Sequence, residues 1–265
     1  MSLVMHLSDT HFGVERDEVV TALLQLSEQQ RPDVAVLSGD VTQRGRSDEF
    51  RLAKRFVDAL TAGRKLVLPG NHDIPLYDLG RRLFAPYLNH RRAFGPDLEP
   101  EHEDDRLLIL GIRTTRRYRH VDGTVSSAQV ARSSERLRRS KAILKLVVTH
   151  QPVHVQSEVD QHNLLRGRDT ALRGWSAAGV DLILGGHIHL PFVAPLRALH
   201  GLPREVWAVQ AGTAVSRRTR PGAPNSVNLI RLDDGTGQCC VERWDYDAPT
   251  AAFVPGAATA VALDR

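Results

Sequence analysis

The sequence predicts an α/β fold: two β-sheets packed as a sandwich and flanked by helices. Three observations carry that expectation. Through the first half of the chain, apolar runs of strand length alternate with amphipathic helical segments, the pattern of right-handed βαβ units and a mostly parallel sheet. After Gly186 the segments read as strands joined by turns, with no helices between them, which predicts an antiparallel second sheet. No internal repeat, low-complexity linker or composition break divides the 265 residues. Residues 1–247 are therefore expected to form one domain, with 248–265 a C-terminal tail packing on the body or on a second subunit.

The elements follow in order. Leu3–Ser8 is a short apolar run that reads as the first strand. In the next segment, Arg16–Gln30, residues Val20, Leu23, Leu24 and Ser27 recur at helical spacing. Val34–Ser38 is the second strand. Ser47 is placed to cap a helix with Asp48 and Glu49 in its first turn and an apolar face of Phe50, Ala53, Phe56, Val57 and Leu60. Lys65–Pro69 is the third strand. Leu76–Pro100 is helical and loop-like, with many arginines. Leu107–Ile112 and Leu144–Thr149 are buried strands on either side of a basic helix at Ser126–Ser140. Thr170–Ala178 is a helix and Asp181–Leu184 a strand. Glu205–Ala211, Ser226–Leu232 and Gln238–Tyr246 are the late strands.

Composition narrows the class. A hydrophobic content of 42% and a charged content of 25% are those of a soluble globular protein. The net charge of +4 suits anionic substrates without pointing to nucleic acid. The two cysteines, Cys239 and Cys240, are adjacent. Neighbours in a strand point to opposite faces, so a disulfide framework is excluded and a reducing cytoplasm is the expected compartment. The N-terminal MSLVMHLSD has neither a basic n-region nor a long apolar core, so no signal peptide is expected. No apolar stretch approaches the ~20 residues that span a bilayer.

The chemistry lies at the strand ends. The first strand ends HLSDTHFG, presenting Asp9 and His11. The second ends LSGDVTQ, presenting Asp40, and the third VLPGNHD, presenting Asn71, His72 and Asp73. A later strand ends LVVTHQP with His150, and the next LILGGHIHL with His187 and His189. In open α/β sheets, sites form where the carboxyl ends of strands meet. Asp, His and Asn donors suit Mn, Fe or Zn. Seven donors are too many for one tetrahedral ion and right for two ions sharing a bridge. Asp40, alone on a tight turn, is the bridging candidate. Glycines 39, 70, 185 and 186 allow the backbone to bend into the site.

The ordered set Asp9-x-His11, Gly39-Asp40, Gly70-Asn71-His72-Asp73, His150 and Gly186-His187-x-His189 resembles the calcineurin-like metallophosphoesterases. The likeness extends over residues 9–189. Within the family, HLSDTHFG, LSGDVTQRGRSDEF and LPGNHDIPLY look most like the bacterial class III cyclic-nucleotide phosphodiesterases, a looser likeness than that to the family itself. It implies the αββα fold and a cofactor of two divalent or mixed-valence ions. Asp9, His11 and His189 would hold one ion, and Asn71, His150 and His187 the other. Asp40 would bridge them. His72 would act on the phosphate or the leaving oxygen, and a metal-bridging hydroxide would be the nucleophile. Asp73 would orient its neighbours.

One departure stands out. Many relatives carry an Asp three residues after the bridging Asp, supporting the catalytic histidine. Here the position is Gln43, which supplies no negative charge to favour a protonated His72. Arg44, His154 and His162 are candidate substrate contacts, and the stretch Ser216–Gly222 is placed to reach an anionic substrate or to be a turn. His6 reads as a core residue; His90, His102 and His200 read as surface residues. The basic clusters Arg113–His120 and Arg132–Ser140 read as solvated faces, and nucleic acid is disfavoured as a partner for want of a recognition module or a stacking series. GxxxxGK[ST], HExxH and GxSxG motifs are absent.

The expected activity is thus a two-metal phosphodiesterase acting on a small anionic phosphoester. Alternatives are a phosphomonoesterase or nucleotide-lipid pyrophosphate hydrolase, then a nuclease, then a non-catalytic metal-binding scaffold. The apolar tail permits a homodimer.

Overall fold

The computed structural model describes residues 2–233 and 236–264; Met1, Asp234, Gly235 and Arg265 lie outside that description. Strand β1 (Ser2–Leu7) is buried at every position, as a strand covered on both faces must be. Alternation decides which neighbours it meets. Leu3, Met5 and Leu7 join a core with Val19, Leu23 and Leu26 of α1 (Asp17–Gln30) and Phe56 and Val57 of α2 (Ser47–Ala59). Val4 faces the other way, into an apolar layer between two sheets. The molecule is therefore four layers deep: helix, sheet, sheet, helix.

Each sheet has six strands. In the first, β1 pairs in parallel with β2 (Val34–Leu37), which pairs with β3 (Arg64–Val67). The second holds β4 (Glu101–Glu103), β5 (Leu107–Gly111), β6 (Leu144–Val148), β7 (Leu182–Gly185), β8 (Phe192–Pro195) and β9 (Trp207–Gln210), in the order β4-β5-β6-β7-β9-β8. Between them lie Val34, Val36 and Leu66 of one sheet and Ile109, Leu146, Val148 and Leu184 of the other. Outside the second sheet, Val130 and Leu137 of α5 (Ser127–Arg139) and Leu172 and Trp175 of α6 (Arg168–Ala177) pack on Leu108, Val147 and Ile183. Two short helices, α3 (Leu79–Phe84) and α4 (Leu88–Phe94), precede β4, and α7 (Arg197–His200) follows β8. Among the described residues no helix is long and apolar enough to cross a membrane.

The two-sheet architecture matches expectation, but the distribution of strands differs. The late strands do not form a sheet of their own. β9 adds in parallel to β7, whereas β10 (Ser226–Leu232) pairs antiparallel with β1. β11 (Cys239–Asp247) and β12 (Ala252–Val261) extend that first sheet outward. Period-two alternation identifies a strand but not its partner. Ser47 is likewise not the cap expected of it. Arg46 takes the N-cap position, and the Glu49 carboxylate accepts the Arg44 and Arg46 backbone N–H groups.

Candidate metal centre

Five parallel strands of the two sheets end side by side, and the residues just past those ends converge. From β1 come Asp9 and His11, from β2 Asp40, from β3 Asn71 and His72. From β6 comes His150, and from β7 come His187 and His189. All seven expected ligands thus meet at one place. Asp9, His11 and Asp40 are buried, with Asn71, His150 and His189 nearly so.

The polar atoms fall into two groups. In the first, Asp9 Oδ1 lies 3.1 Å from His189 Nε2 and 3.7 Å from His11 Nε2, and the two ring nitrogens are 3.2 Å apart. In the second, His150 Nε2 lies 3.0 Å from Asn71 Oδ1 and 3.2 Å from Asp40 Oδ1. Asp40 Oδ2 faces the first group, 3.8 Å from His11 Nε2. His187 completes the second group, its ring 5.1 Å from that of His150.

These contacts fit metal binding better than hydrogen bonding. His189 Nδ1 donates to the Arg218 carbonyl and His150 Nδ1 to the Ser38 carbonyl. Each bond turns the opposite nitrogen, Nε2, inward as a lone pair, the usual carbonyl support of a ligating histidine. Those lone pairs face carboxylate, amide oxygen and one another, an arrangement that calls for a cation. Separations of 3.0–3.8 Å are those of donors on a common ion at about 2.0–2.2 Å. Among the described residues, neither buried ring nitrogen of His187 has a hydrogen-bond partner, and neither does Asp9 Oδ1.

Burial works against a charge on His150, yet the Asp40 carboxylate draws its pKa up to about 9; a bound cation would take the place of that proton on Nε2. Burial also opposes the ionised form of Asp40, but His150 and His72 hold it well below the carboxylate range. Burial pushes His11 down to about 4 and His187 to about 3, keeping both neutral and able to ligate.

The backbone is bent to make this possible. Asp9, His11, Asp40, His187 and His189 all have positive φ, between 43° and 73°. Each such residue costs on the order of 1–2 kcal/mol, the kind of strain that collects at functional sites. Of the four glycines expected to bend the chain, only Gly39 is left-handed, at φ +112°. Gly70 serves by proximity, since a Cβ there would lie 2.0 Å from the Asp40 nitrogen. Asp73 clamps the same turn. Its carboxylate accepts from Val41 N, Thr42 N, Thr42 Oγ1 and Gly70 N, tying the end of β2 to the end of β3.

His72 stands at the edge of the two groups, its backbone N–H on Asp40 Oδ1 and its ring edge-on to His11. Its Nδ1 donates to the Gln43 carbonyl at 2.8 Å. The main chain at position 43 thus supports this histidine, and the Gln43 amide oxygen instead accepts from Arg218. Arg218 was visible beforehand only as part of the basic Ser216–Gly222 stretch. Its Nη1 lies 3.1 Å from His72 Nε2. A guanidinium only donates, so His72 is the tautomer with Nδ1–H and an accepting Nε2. The ring of His120, also unassigned from the sequence, lies 5.9 Å from that of His72, tilted by 54°.

The expected substrate contacts have other neighbours. Arg44 lies over the Tyr77 ring. His154 packs on Phe192 and His200, and His162 is exposed on a 3₁₀ turn, Glu158–Asn163. Among the described residues, no hydrogen bond or ring contact joins these three to the ligand set. His90, expected at the surface, is fully buried between Phe50 and Phe94. His6 is the core residue expected, bonded to Ser38.

A helix–sheet–sheet–helix sandwich with paired donor groups around one carboxylate defines a metallophosphoesterase. The chain belongs to the calcineurin-like phosphoesterase family, whose family model matches residues 2–191. Over 120 residues it is 37% identical to a glycerophosphodiester phosphodiesterase of Enterobacter lignolyticus, covering 40% of this chain and 39% of that one. Over 203 residues it is 27% identical to a cAMP/cGMP dual specificity phosphodiesterase of Mycobacterium tuberculosis, covering 71% and 61%. The chain thus spans under two thirds of each curated relative. A purple acid phosphatase from yellow lupin shares the fold, with a TM-score of 0.74 at 11% identity over 99% of this chain and 54% of that one.

Proposed function

We propose that this chain is a two-metal phosphodiesterase acting on a small phosphodiester, with a cyclic nucleotide as the first candidate. One observation carries the reading: the two oxygens of Asp40 face two separate donor groups, with His72 and Arg218 at their margin. Asp9, His11 and His189 would hold one ion and Asn71, His150 and His187 the other, with Asp40 between them. When bound, a pair of Mn, Fe or Zn ions supplies Lewis acidity and an activated water.

The chain's own groups do the rest. The Ser38 and Arg218 carbonyls fix the tautomers of His150 and His189. The Arg218 guanidinium donates to an anionic phosphate oxygen, a charge-assisted bond made without metal. His72 holds its own proton on Nδ1, against the Gln43 carbonyl, and its Nε2 has a lone pair. It orients Arg218 and the substrate, and protonates a leaving oxygen only after taking up a second proton. Substrates with good leaving groups are therefore favoured. The names of the two relatives support a diester over a monoester. The free cysteines Cys239 and Cys240 suit a cytoplasmic enzyme.

The test is to strip the protein of metal, restore Mn²⁺, and compare bis-p-nitrophenyl phosphate, p-nitrophenyl phosphate and cyclic AMP. Metal-dependent preference for the diester supports the reading. Preference for the monoester replaces it with a phosphatase, and no turnover of any of the three overturns it.

A further inference from the structure

The chain's two basic clusters look alike in sequence and differ in the fold. The arginines of the second are neutralised: Arg132 pairs with Glu99, Arg136 with Glu101 and Glu103, and Arg138 and Arg139 with Glu135. In the first cluster, Arg113–His120, Arg119 pairs with Asp122, but among the described residues the arginines before it do not pair in this way. Together with α3 and α4 the cluster walls a cavity of about 390 Å³ that contains no carboxylate in its lining.

Four arginines face that cavity: Arg91, Arg113, Arg116 and Arg117. Among the described residues, none of them forms an ion pair. Arg116 spends its N–H groups on neutral acceptors, the Arg113 and Thr115 carbonyls and the Gln129 amide oxygen. Arg117 donates to the Leu83 carbonyl. Arg113 lies over the ring of Tyr87, at 5.3 Å from its centroid. Glu99, the acid that acts on Arg116, is already held by Arg132, Gln129 and the Arg113 backbone N–H. Burial, and then Arg113, press the Arg116 pKa down, against smaller opposing pulls from Tyr87, Tyr118 and Glu99.

Aromatic rings complete the cavity. Tyr87 is a fixed wall, buried with its hydroxyl bonded to Thr115. At the mouth, Phe84 is 88% and Tyr118 73% exposed, large rings without a ring partner among the described residues. Guanidinium groups recognise phosphate and carboxylate oxygens by paired N–H donation, and aromatic faces stack on flat rings.

We propose that this pocket binds an anionic ligand carrying phosphate beside an aromatic ring, as a nucleoside monophosphate does. None of its lining residues belongs to the metal-ligand set, so the site stands independently of the phosphodiesterase reading.

The experiment is calorimetric titration of the metal-loaded protein with AMP and, separately, with inorganic phosphate. It is done on the wild type, on Tyr118→Ser and on the double variant Arg113→Ala/Arg117→Ala. Hydrolysis of bis-p-nitrophenyl phosphate is followed in each as a check on the metal centre. AMP is expected to bind more tightly than phosphate. The double variant should lose at least tenfold in AMP affinity and Tyr118→Ser several-fold, with diester turnover unchanged. AMP affinity that ignores all three substitutions puts AMP at the metal centre and overturns the proposal. Equal affinity for phosphate and AMP, with Tyr118→Ser silent, overturns the aromatic half. No AMP binding at millimolar concentration overturns the whole. A protein that binds AMP as described but hydrolyses no diester keeps this proposal and removes the preceding one.

Discussion

Replacing Gly70 by Ala tests whether the placement of Asp40 is what makes the site. A Cβ at position 70 would sit 2.0 Å from the Asp40 nitrogen, 2.2 Å from its Oδ1 and 2.7 Å from its Cα. Ordinary contact begins near 3.4 Å, so the two turns must separate by about 1.4 Å. The obstacle is backbone, which has no rotamer to change. Overpacking of this kind costs about 1–3 kcal/mol, and part of that relief must move Asp40. A displacement of about 1 Å at a reacting centre costs on the order of 10²-fold in rate. Gly70→Ala is therefore expected to lose at least half its bound metal, by elemental analysis, and about 10²-fold in kcat/KM on bis-p-nitrophenyl phosphate. The control is Gly80→Ala in α3, where a Cβ meets only Asp78 Oδ1 at 3.7 Å; it should leave both quantities unchanged. Gly70→Ala retaining full metal and turnover within threefold of wild type would refute the reasoning.

Three further outcomes are expected. His72→Ala should keep its metal content while turnover falls by about 10²–10⁴-fold; unchanged turnover removes His72 from the mechanism. Arg218→Gln should also keep its metals, because His189 bonds the Arg218 carbonyl and not its side chain and the guanidinium meets His11 only at Nδ1, at 3.4 Å, while KM for the diester rises and kcat falls; metal loss would show a structural role instead. His90→Phe should flatten the acid limb of the stability curve. Burial, with a smaller push from Arg91, lowers the His90 pKa from 6.5 to about 3. The unfolded chain then binds the proton that the folded one refuses, so the wild type loses stability as pH falls below 6.5. At pH 5 that loss is about 2 kcal/mol. Urea titrations of both proteins at pH 7.5 and pH 5 would measure it, and equal losses would contradict the assignment.

The clustering of the candidate donors was legible because each follows its strand within a few residues, and a buried apolar run marks a strand plainly. What the pattern does not carry is pairing. Ser226–Leu232 alternates like any half-buried strand, and nothing in it specifies β1 as its neighbour. Arg218 was hidden for a similar reason: it lies 29 residues beyond His189, in a loop whose course is set by tertiary packing. His90 was misplaced because its helix is short and its apolar side is fixed only by contact with Phe50 and Phe94. The positive φ angles of five ligands left no trace, since Asp and His carry no backbone signature comparable to glycine's.

The seating of the ligands on two sheets has a consequence for the chain as a polymer. Asp9, His11, Asp40 and Asn71 follow strands of the first sheet; His150, His187 and His189 follow strands of the second. The facing nitrogens of His11 and His189 are 178 residues apart in sequence, and the Asn71–His150 pair 79. A cation shared across either gap acts as a reversible cross-link closing a long loop, the kind of tie that most restricts an unfolded chain. On the proposed function, metal occupancy would therefore govern the cohesion of the two halves as well as turnover. Chelation should lower the melting temperature as much in a catalytically silent His72→Ala protein as in the wild type.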